Sequence, residues 1–349
     1  MKPRKIFISE LTVLGVSLLL AGCGTDPDSV VSKSALAVEN GDYSTAVSLC
    51  TAAVGSGADD KSLLRLRGIA EMGEGQFDAA VKDFISYLSM SNGIVGTSDI
   101  DTSYYLAVAQ YKNGDADGAD ATLSAITDIR PKEDKAYLLR GKVRLSGGNR
   151  EAAMSDFDRA VALAPTKYDY YVEIYEELFG AGYESEAGAY LEKALAAGNK
   201  LSDYYKGVLE YYMGSYTDAR NDLENARKDK NNENITLYLG KTYEALGDIS
   251  YARTLYEENI QSSQAGGRIY EQLSYLLMNQ GEYNAALSVI ESGLSLGGGE
   301  GIRGMMFNRV VAYERLYDFD SAGTAMDEYL SLYPDDEDAV REQVFLSSR

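Results

Sequence analysis

The 349-residue chain contains no histidine, so its chemistry must come from carboxylates, tyrosines, hydroxyls and two cysteines. Without an imidazole there is no Ser-His or Cys-His nucleophile pair, no histidine zinc site and no histidine phosphotransfer. The 54 Asp and Glu residues are too many for an acid–base pair to be picked out without a pocket. No phosphate-cradling glycine loop or nucleophile elbow occurs between a strand and a helix. Two acidic clusters suggest calcium at first sight: Asp115, Asp117 and Asp120, and the run Asp335, Asp336, Glu337, Asp338. Neither has the spacing or closing Glu of an EF-hand loop. Acids at helix starts, facing the positive end of the dipole, account for both. The expectation is a chain that is not an enzyme and carries no metal and no cofactor.

Tyrosine is the other chemical resource, at 28 residues. Its ring gives wide apolar contact and its hydroxyl a hydrogen bond, which suits a binding surface as well as a core. Which tyrosines do which depends on the elements that carry them, and those follow from a repeat. Alanine recurs at Ala46, Ala80, Ala119, Ala153, Ala187, Ala219, Ala252, Ala286 and Ala322, at intervals of 34, 39, 34, 34, 32, 33, 34 and 36 residues. A period of this size marks a stacked array in which each unit buries its apolar face against its neighbours.

Other columns align on that alanine. Five residues before it stands glycine in eight of nine repeats, with Tyr317 the exception. A glycine there ends one helix in a left-handed conformation. The next residue is an N-cap type in six repeats: Asp42, Asp115, Asn149, Ser215, Asp248 and Asp318. Four residues after the alanine every repeat is apolar, from Cys50 and Phe84 to Ile290 and Met326, and seven after it small residues dominate. Offsets of 0, 4 and 7 share one helix face. Twelve before the alanine, seven of nine residues are small, among them Gly68, Ala107, Gly141 and Gly240. Each repeat therefore reads as two antiparallel helices around a tight turn. None of the five prolines falls inside a helix, and no strand-period run competes, so the chain is all-α.

This pattern resembles the tetratricopeptide repeat, with a small residue in the first helix, a glycine turn and an A-x₃-apolar-x₂-small second helix. Pro131, Pro165 and Pro334, twelve residues after their alanines, match the proline that often closes that repeat. The resemblance covers residues 28–334 and implies an α-solenoid, a right-handed superhelix of about nine repeats. The tryptophan common early in that repeat is replaced here by Leu64, Tyr137, Tyr171, Tyr270 and Met306. Asp203 and Thr236 stand there in repeats six and seven, where packing is expected to be weaker. The long interval around Ser91–Ser98 and the stretch Gly297–Gly301 are the expected hinges. Residues 335–349 read as a further amphipathic helix and tail, capping the array with a polar outer side.

In arrays of this kind the first helices line the concave face, at offsets of 15, 11 and 8 before the alanine. That stripe holds Tyr104, Tyr111, Phe179, Tyr204, Tyr211, Tyr275, Met278 and Phe307, with Tyr212 adjoining. Arg65, Lys142, Lys241 and Arg315 lie on or beside it. These residues are the candidate groove for a protein or peptide partner; the bland alternative is that the rings pack helix on helix. The cations do not reproduce the paired pattern by which some related repeats clamp a C-terminal carboxylate.

The N-terminus carries Lys2, Arg4 and Lys5, an apolar run Leu11–Leu20, and then Leu20-Ala21-Gly22-Cys23. A basic head, a short apolar stretch and small residues before a cut point are a secretory signal, and the run is too short for a comfortable span. Leu-Ala-Gly-Cys is similar to the bacterial lipoprotein box. That resemblance implies removal of residues 1–22 and a diacylglyceryl thioether on Cys23, with residues 23–27 as tether. Two or more acyl chains anchor stably where one does not. Losing three basic residues and one acidic residue leaves 30 Lys+Arg, 53 Asp+Glu and a net charge of −23. Such a surface repels nucleic acid and anionic headgroups. Cys50 then has no disulfide partner and is expected in the core. Together these expectations describe an anchored scaffold on the extracytoplasmic face of a bacterial membrane, plasma or outer, binding a protein of the cell envelope, with its oligomeric state open. The alternative is a solute or glycan binder using the tyrosines.

Overall fold

The computed structural model describes residues 29–57, 59–91, 93, 95–196, 201–262, 265–297, 299–334 and 336–347. The signal segment 1–22, the tether 23–27 with Cys23, and Asp335 lie outside the described residues. The described residues form 19 α-helices and no strand, and no helix among them is long and apolar enough to cross a membrane.

The chain divides between Ala197 and Gly198 into two compact units. The first holds five helical pairs: α1 (Val30–Glu39) with α2 (Tyr43–Ala53), α3 (Asp60–Gly73) with α4 (Phe77–Ser89), α5 (Thr97–Lys112) with α6 (Ala116–Ile129), α7 (Asp134–Ser146) with α8 (Arg150–Leu163), and α9 (Tyr168–Gly180) with α10 (Glu184–Ala196). The second holds α11 (Asp203–Tyr212) with α12 (Tyr216–Asp229), α13 (Glu233–Ala245) with α14 (Ile249–Gln261), α15 (Gly267–Asn279) with α16 (Tyr283–Leu294), α17 (Ile302–Arg315) with α18 (Phe319–Leu332), and then α19 (Glu337–Leu346). Both sequence hinges are ordinary joints in packing terms, since α4 packs on α5 and α16 on α17 as other neighbours do. The division instead falls just before repeat six, whose first helix begins with exposed Asp203.

The turn between paired helices has one construction throughout. The eight column glycines have φ between +72° and +84°, and Tyr317 takes the same left-handed conformation at φ +61°. In all nine repeats the next residue donates its N–H to the carbonyl five residues back, at 2.7–3.0 Å, closing a Schellman motif. In five repeats that same residue (Asp42, Asp115, Asn149, Asp248 or Asp318) then caps the second helix with its side chain. Ser215 does not; its side chain makes no cap bond.

The repeat alanine accepts no substitute in size: all nine are fully buried, and so is the apolar residue four positions on. Cys50 is one of these, and burial pushes its thiol pKa up, which keeps it protonated and inert. The small residue twelve before the alanine faces that apolar residue across the pair. A Cβ built on Gly68 would lie 2.6 Å from the Phe84 ring, and one on Gly141 would lie 2.5 Å from the Phe157 ring. Where the facing residue is Leu123, the small residue is Ala107.

A second device joins the pairs in repeats two, four and six. Arg67 binds Asp83 with two nitrogens at 2.6 and 2.8 Å, Arg140 binds Asp156 at 2.9 and 2.7 Å, and Lys206 binds Asp222 at 2.5 Å. Each pair spans 16 residues, with the cation on the first helix and the acid on the second. Arg144 also reaches Asp156, at 2.8 Å, and clasps Asp120 of the preceding repeat.

Asp115 and Asp336, the acids that raised calcium, cap α6 and α19. Asp336 also accepts bonds from Tyr329 at 2.6 Å and Arg303 at 2.7 Å. The outer side of α19 departs from a polar cap: Val340, Val344 (70% exposed) and Phe345 face solvent, because Ala339 and Leu346 are the residues that pack against the preceding repeat.

Candidate functional site

The first helices of successive repeats touch one another in each unit, α3 with α5 and α7 with α9 in the first, and α11, α13, α15 and α17 in turn in the second. Side chains on these helices therefore meet partners 30 to 40 residues away in sequence. What they meet differs between the units.

In the first unit the candidate cations Arg65 and Lys142, like Lys61 beside them, are spent on carboxylates of the next first helix. Lys61 binds Asp99 at 3.0 Å, and Arg65 binds Asp101 and Thr102. Lys142 is buried and holds Glu173 at 2.7 Å and Glu177 at 3.6 Å. Burial works against its charge, but the two carboxylates outweigh it and keep the ammonium's pKa above its ordinary value. Tyr104 is buried under Lys135, whose ammonium lies 5.3 Å from the ring centre. Burial, then the neighbouring Glu133, pushes the Tyr104 hydroxyl pKa up. Tyr111 is half-buried against the same core. Of the candidates in this unit, Phe179 alone presents a largely free ring, 50% exposed and stacked on Tyr175 at 5.4 Å. A side pocket of about 210 Å³ opens where the 39-residue interval adds chain, between Leu88, Val95, Ile100 and Ile129.

In the second unit the same face is aromatic. Tyr204, Tyr211 and Tyr212 of α11 gather around Tyr238 of α13, with ring centres 6.4, 5.9 and 5.9 Å from it. The Tyr212 and Tyr238 hydroxyls are 3.2 Å apart, and Lys241 lies 5.8 Å from the Tyr238 ring centre. All four rings are half-buried, so each both packs on its neighbours and keeps an edge in solvent. Further along, Tyr275 (52% exposed) and Met278 of α15 face Phe307 of α17 across a groove of about 460 Å³. Phe307 is braced from behind by the Tyr329 ring at 5.5 Å. The structure thus brings Tyr204, Tyr211 and Tyr212 together, and separately Tyr275, Met278 and Phe307. It buries Tyr104 and Lys142.

Sequence reasoning passed over Tyr238, Asn279 and Asn308, which share these surfaces. They stand 14 or 7 before their alanines, one position inside the stripe at 15 and 8. Adjacent offsets on a helix differ by about 100°, so a stripe drawn from three positions is narrower than the face it samples.

Glycine turn, buried alanine and paired helices recur through both units at the spacing of one known repeat. Residues 104–168 match the tetratricopeptide repeat model. Each unit is a tetratricopeptide-type α-solenoid stack. Among solved structures, yeast Tom70 is similar in fold, at 16% identity and a TM-score of 0.52, covering 91% of this chain and 80% of that one. A tetratricopeptide repeat protein from Parabacteroides merdae is 16% identical, with a TM-score of 0.47, over 82% of this chain and 96% of that chain. No curated protein sequence is matched by the chain. At these identities the likeness is one of fold. Tetratricopeptide repeats point to a protein-interaction scaffold, with the binding residues to be argued from this chain alone.

Proposed function

We propose that this chain is a lipid-anchored, extracytoplasmic tetratricopeptide scaffold that holds a segment of a cell-envelope protein. The observation that carries the binding half is the contrast between first-helix faces. Carboxylates occupy the cations on that face in the first unit, whereas the second unit leaves Tyr275, Met278 and Phe307 facing a groove. Tyr275 is exposed, and Phe307 is half-buried and held by the Tyr329 ring, so that its ordering on binding costs little entropy. The anchoring half rests on the Leu20–Cys23 signal in the sequence. A glycan-binding reading calls for free ring faces around an enclosed pocket; the tyrosines of α11 and α13 instead turn edges and faces toward one another.

A photo-crosslinking residue placed at position 275 in native membranes tests the scaffold. It should capture one protein, and the capture should fall in a Tyr204→Ala/Tyr211→Ala background if the partner runs along both surfaces. Capture of none removes the reading. Cys23→Ala should release the chain from the membrane fraction; full retention would rule out an anchor at that residue.

A further inference from the structure

Within the second unit, the groove between α15 and α17 differs from its surroundings in electrostatics. On the same two helices, Arg268 of α15 and Arg303 and Arg309 of α17 each hold a carboxylate. Arg315, on the groove's rim, has none within ion-pair reach among the described residues. Its charged neighbour is Glu314, which burial and then Glu342 push up to about 7, so that carboxyl is only partly ionised near neutrality. An unpaired guanidinium beside apolar rings, in a chain of net charge −21, is a local inversion of the surface. The groove also carries two uncommitted amides. Among the described residues, Asn279 makes no side-chain hydrogen bond, and Asn308 donates to Ser274 at 3.2 Å with its carbonyl oxygen left unbonded. A carboxamide can donate to a backbone carbonyl and accept from a backbone N–H. The volume of about 460 Å³ lies in the range of ligand-holding clefts.

We propose that this groove binds its protein partner through a short extended segment in which an acidic side chain lies beside an aliphatic or aromatic one. The apolar side chain enters between Tyr275 and Phe307, Asn279 and Asn308 bond the segment's backbone, and the acidic side chain pairs with Arg315. The inference rests on the scaffold reading and adds the partner's chemistry. It selects against basic segments, which the chain's overall charge would otherwise attract.

The test uses the full chain and fluorescein-labelled peptides, acetylated and amidated at their ends, with the core Ser-Leu-Phe-Asp-Ser and its Asn and Lys versions. In anisotropy titrations the Asp peptide should bind roughly fivefold more tightly than the Asn peptide, as expected of one partly exposed ion pair. The Lys peptide should bind more weakly still. Arg315→Ala should erase the Asp-over-Asn preference, Arg315→Glu should favour the Lys peptide, and Phe307→Ala should weaken all three. Far-UV circular dichroism checks that each variant is folded. The proposal is overturned if Arg315→Ala keeps the Asp preference, if no blocked peptide binds, or if binding requires a free C-terminal carboxylate. Crosslinking from position 275 separates the two levels. A protein captured equally by wild type and Arg315→Glu leaves the scaffold standing and sinks the acidic segment, whereas no capture by either sinks the scaffold itself.

Discussion

Gly141→Ala should destabilise the protein although alanine is the better helix former, and a second substitution should lessen the effect. In a helix interior the change is worth about 1 kcal/mol in alanine's favour. Against that, the new Cβ would lie 2.5 and 2.6 Å from two Phe157 ring carbons and 3.2 Å from the backbone oxygen of Ala153. The ring is fully buried and wedged edge-on against Tyr190, 6.4 Å between centres, so it has nowhere to retreat. Overpacking of this kind costs about 1–3 kcal/mol, and contacts about 1 Å inside van der Waals distance belong at the upper end. The expected net loss is about 2 kcal/mol. Phe157→Leu should relieve the ring contact if the pair can take the spacing of repeat three, where Ala107 packs over Leu123 with both buried, rather than that of repeat six, where a Cβ on Gly207 would lie 2.6 Å from Leu223. In that background Gly141→Ala should cost clearly less than in the wild type, a coupling of roughly 1–2 kcal/mol, because the Ala153 oxygen at 3.2 Å stays in place. Urea unfolding followed by far-UV circular dichroism reads this as a shift in midpoint at constant slope. An equal loss in both backgrounds, or a stabilised single variant, would refute the argument that the glycine column exists for close approach.

Tyr317→Gly should raise stability by about 0.5–1 kcal/mol, because the other eight repeats use glycine at this left-handed position and the Tyr317 ring is 82% exposed; a lower unfolding midpoint would contradict it. Asp156→Ala leaves Arg140 and Arg144 without their shared, almost fully buried carboxylate and should cost about 3 kcal/mol. A loss below 1 kcal/mol in chemical denaturation would mean the pair is solvated in practice. Burial, followed by Asp83 for Glu71 and Asp222 for Glu210, pushes both carboxyls up to about 7. The folded chain then holds protons that the unfolded chain, at the ordinary 4.5, releases. Their contribution is complete below about pH 4.5 and disappears as pH rises through about 7, so these two groups lower stability between pH 5 and 8. Glu71→Gln should flatten that slope, and an unchanged pH profile in the variant would disprove the assignment.

Features built from neighbours within one repeat were legible before any coordinates. The glycine turns, the Asp and Asn caps, the buried alanines and the existence of α19 all depend on residues within about a dozen positions. The 16-residue ion pairs were legible in principle too, once the repeats were in register: Arg67 with Asp83 and Arg140 with Asp156 occupy identical columns. They escaped because charge was read as a total rather than by column. The outer face of α19 and the boundary at Ala197–Gly198 were not legible, since each depends on which neighbour covers which side.

By itself, the amino-acid sequence determined the helical pairs, their turns and the columns that pack, because backbone conformation, capping and i to i+4 spacing act locally and are repeated nine times here. Only the tertiary structure decided which side chains on the first helices remain free. Lys142 and Arg315 look alike in sequence, but Glu173 and Glu177 arrive on the next first helix to bury one, and no carboxylate comes within ion-pair reach of the other among the described residues. That outcome depends on pairings across 30 residues or more, where electrostatics and packing are set by the stack and not by the repeat.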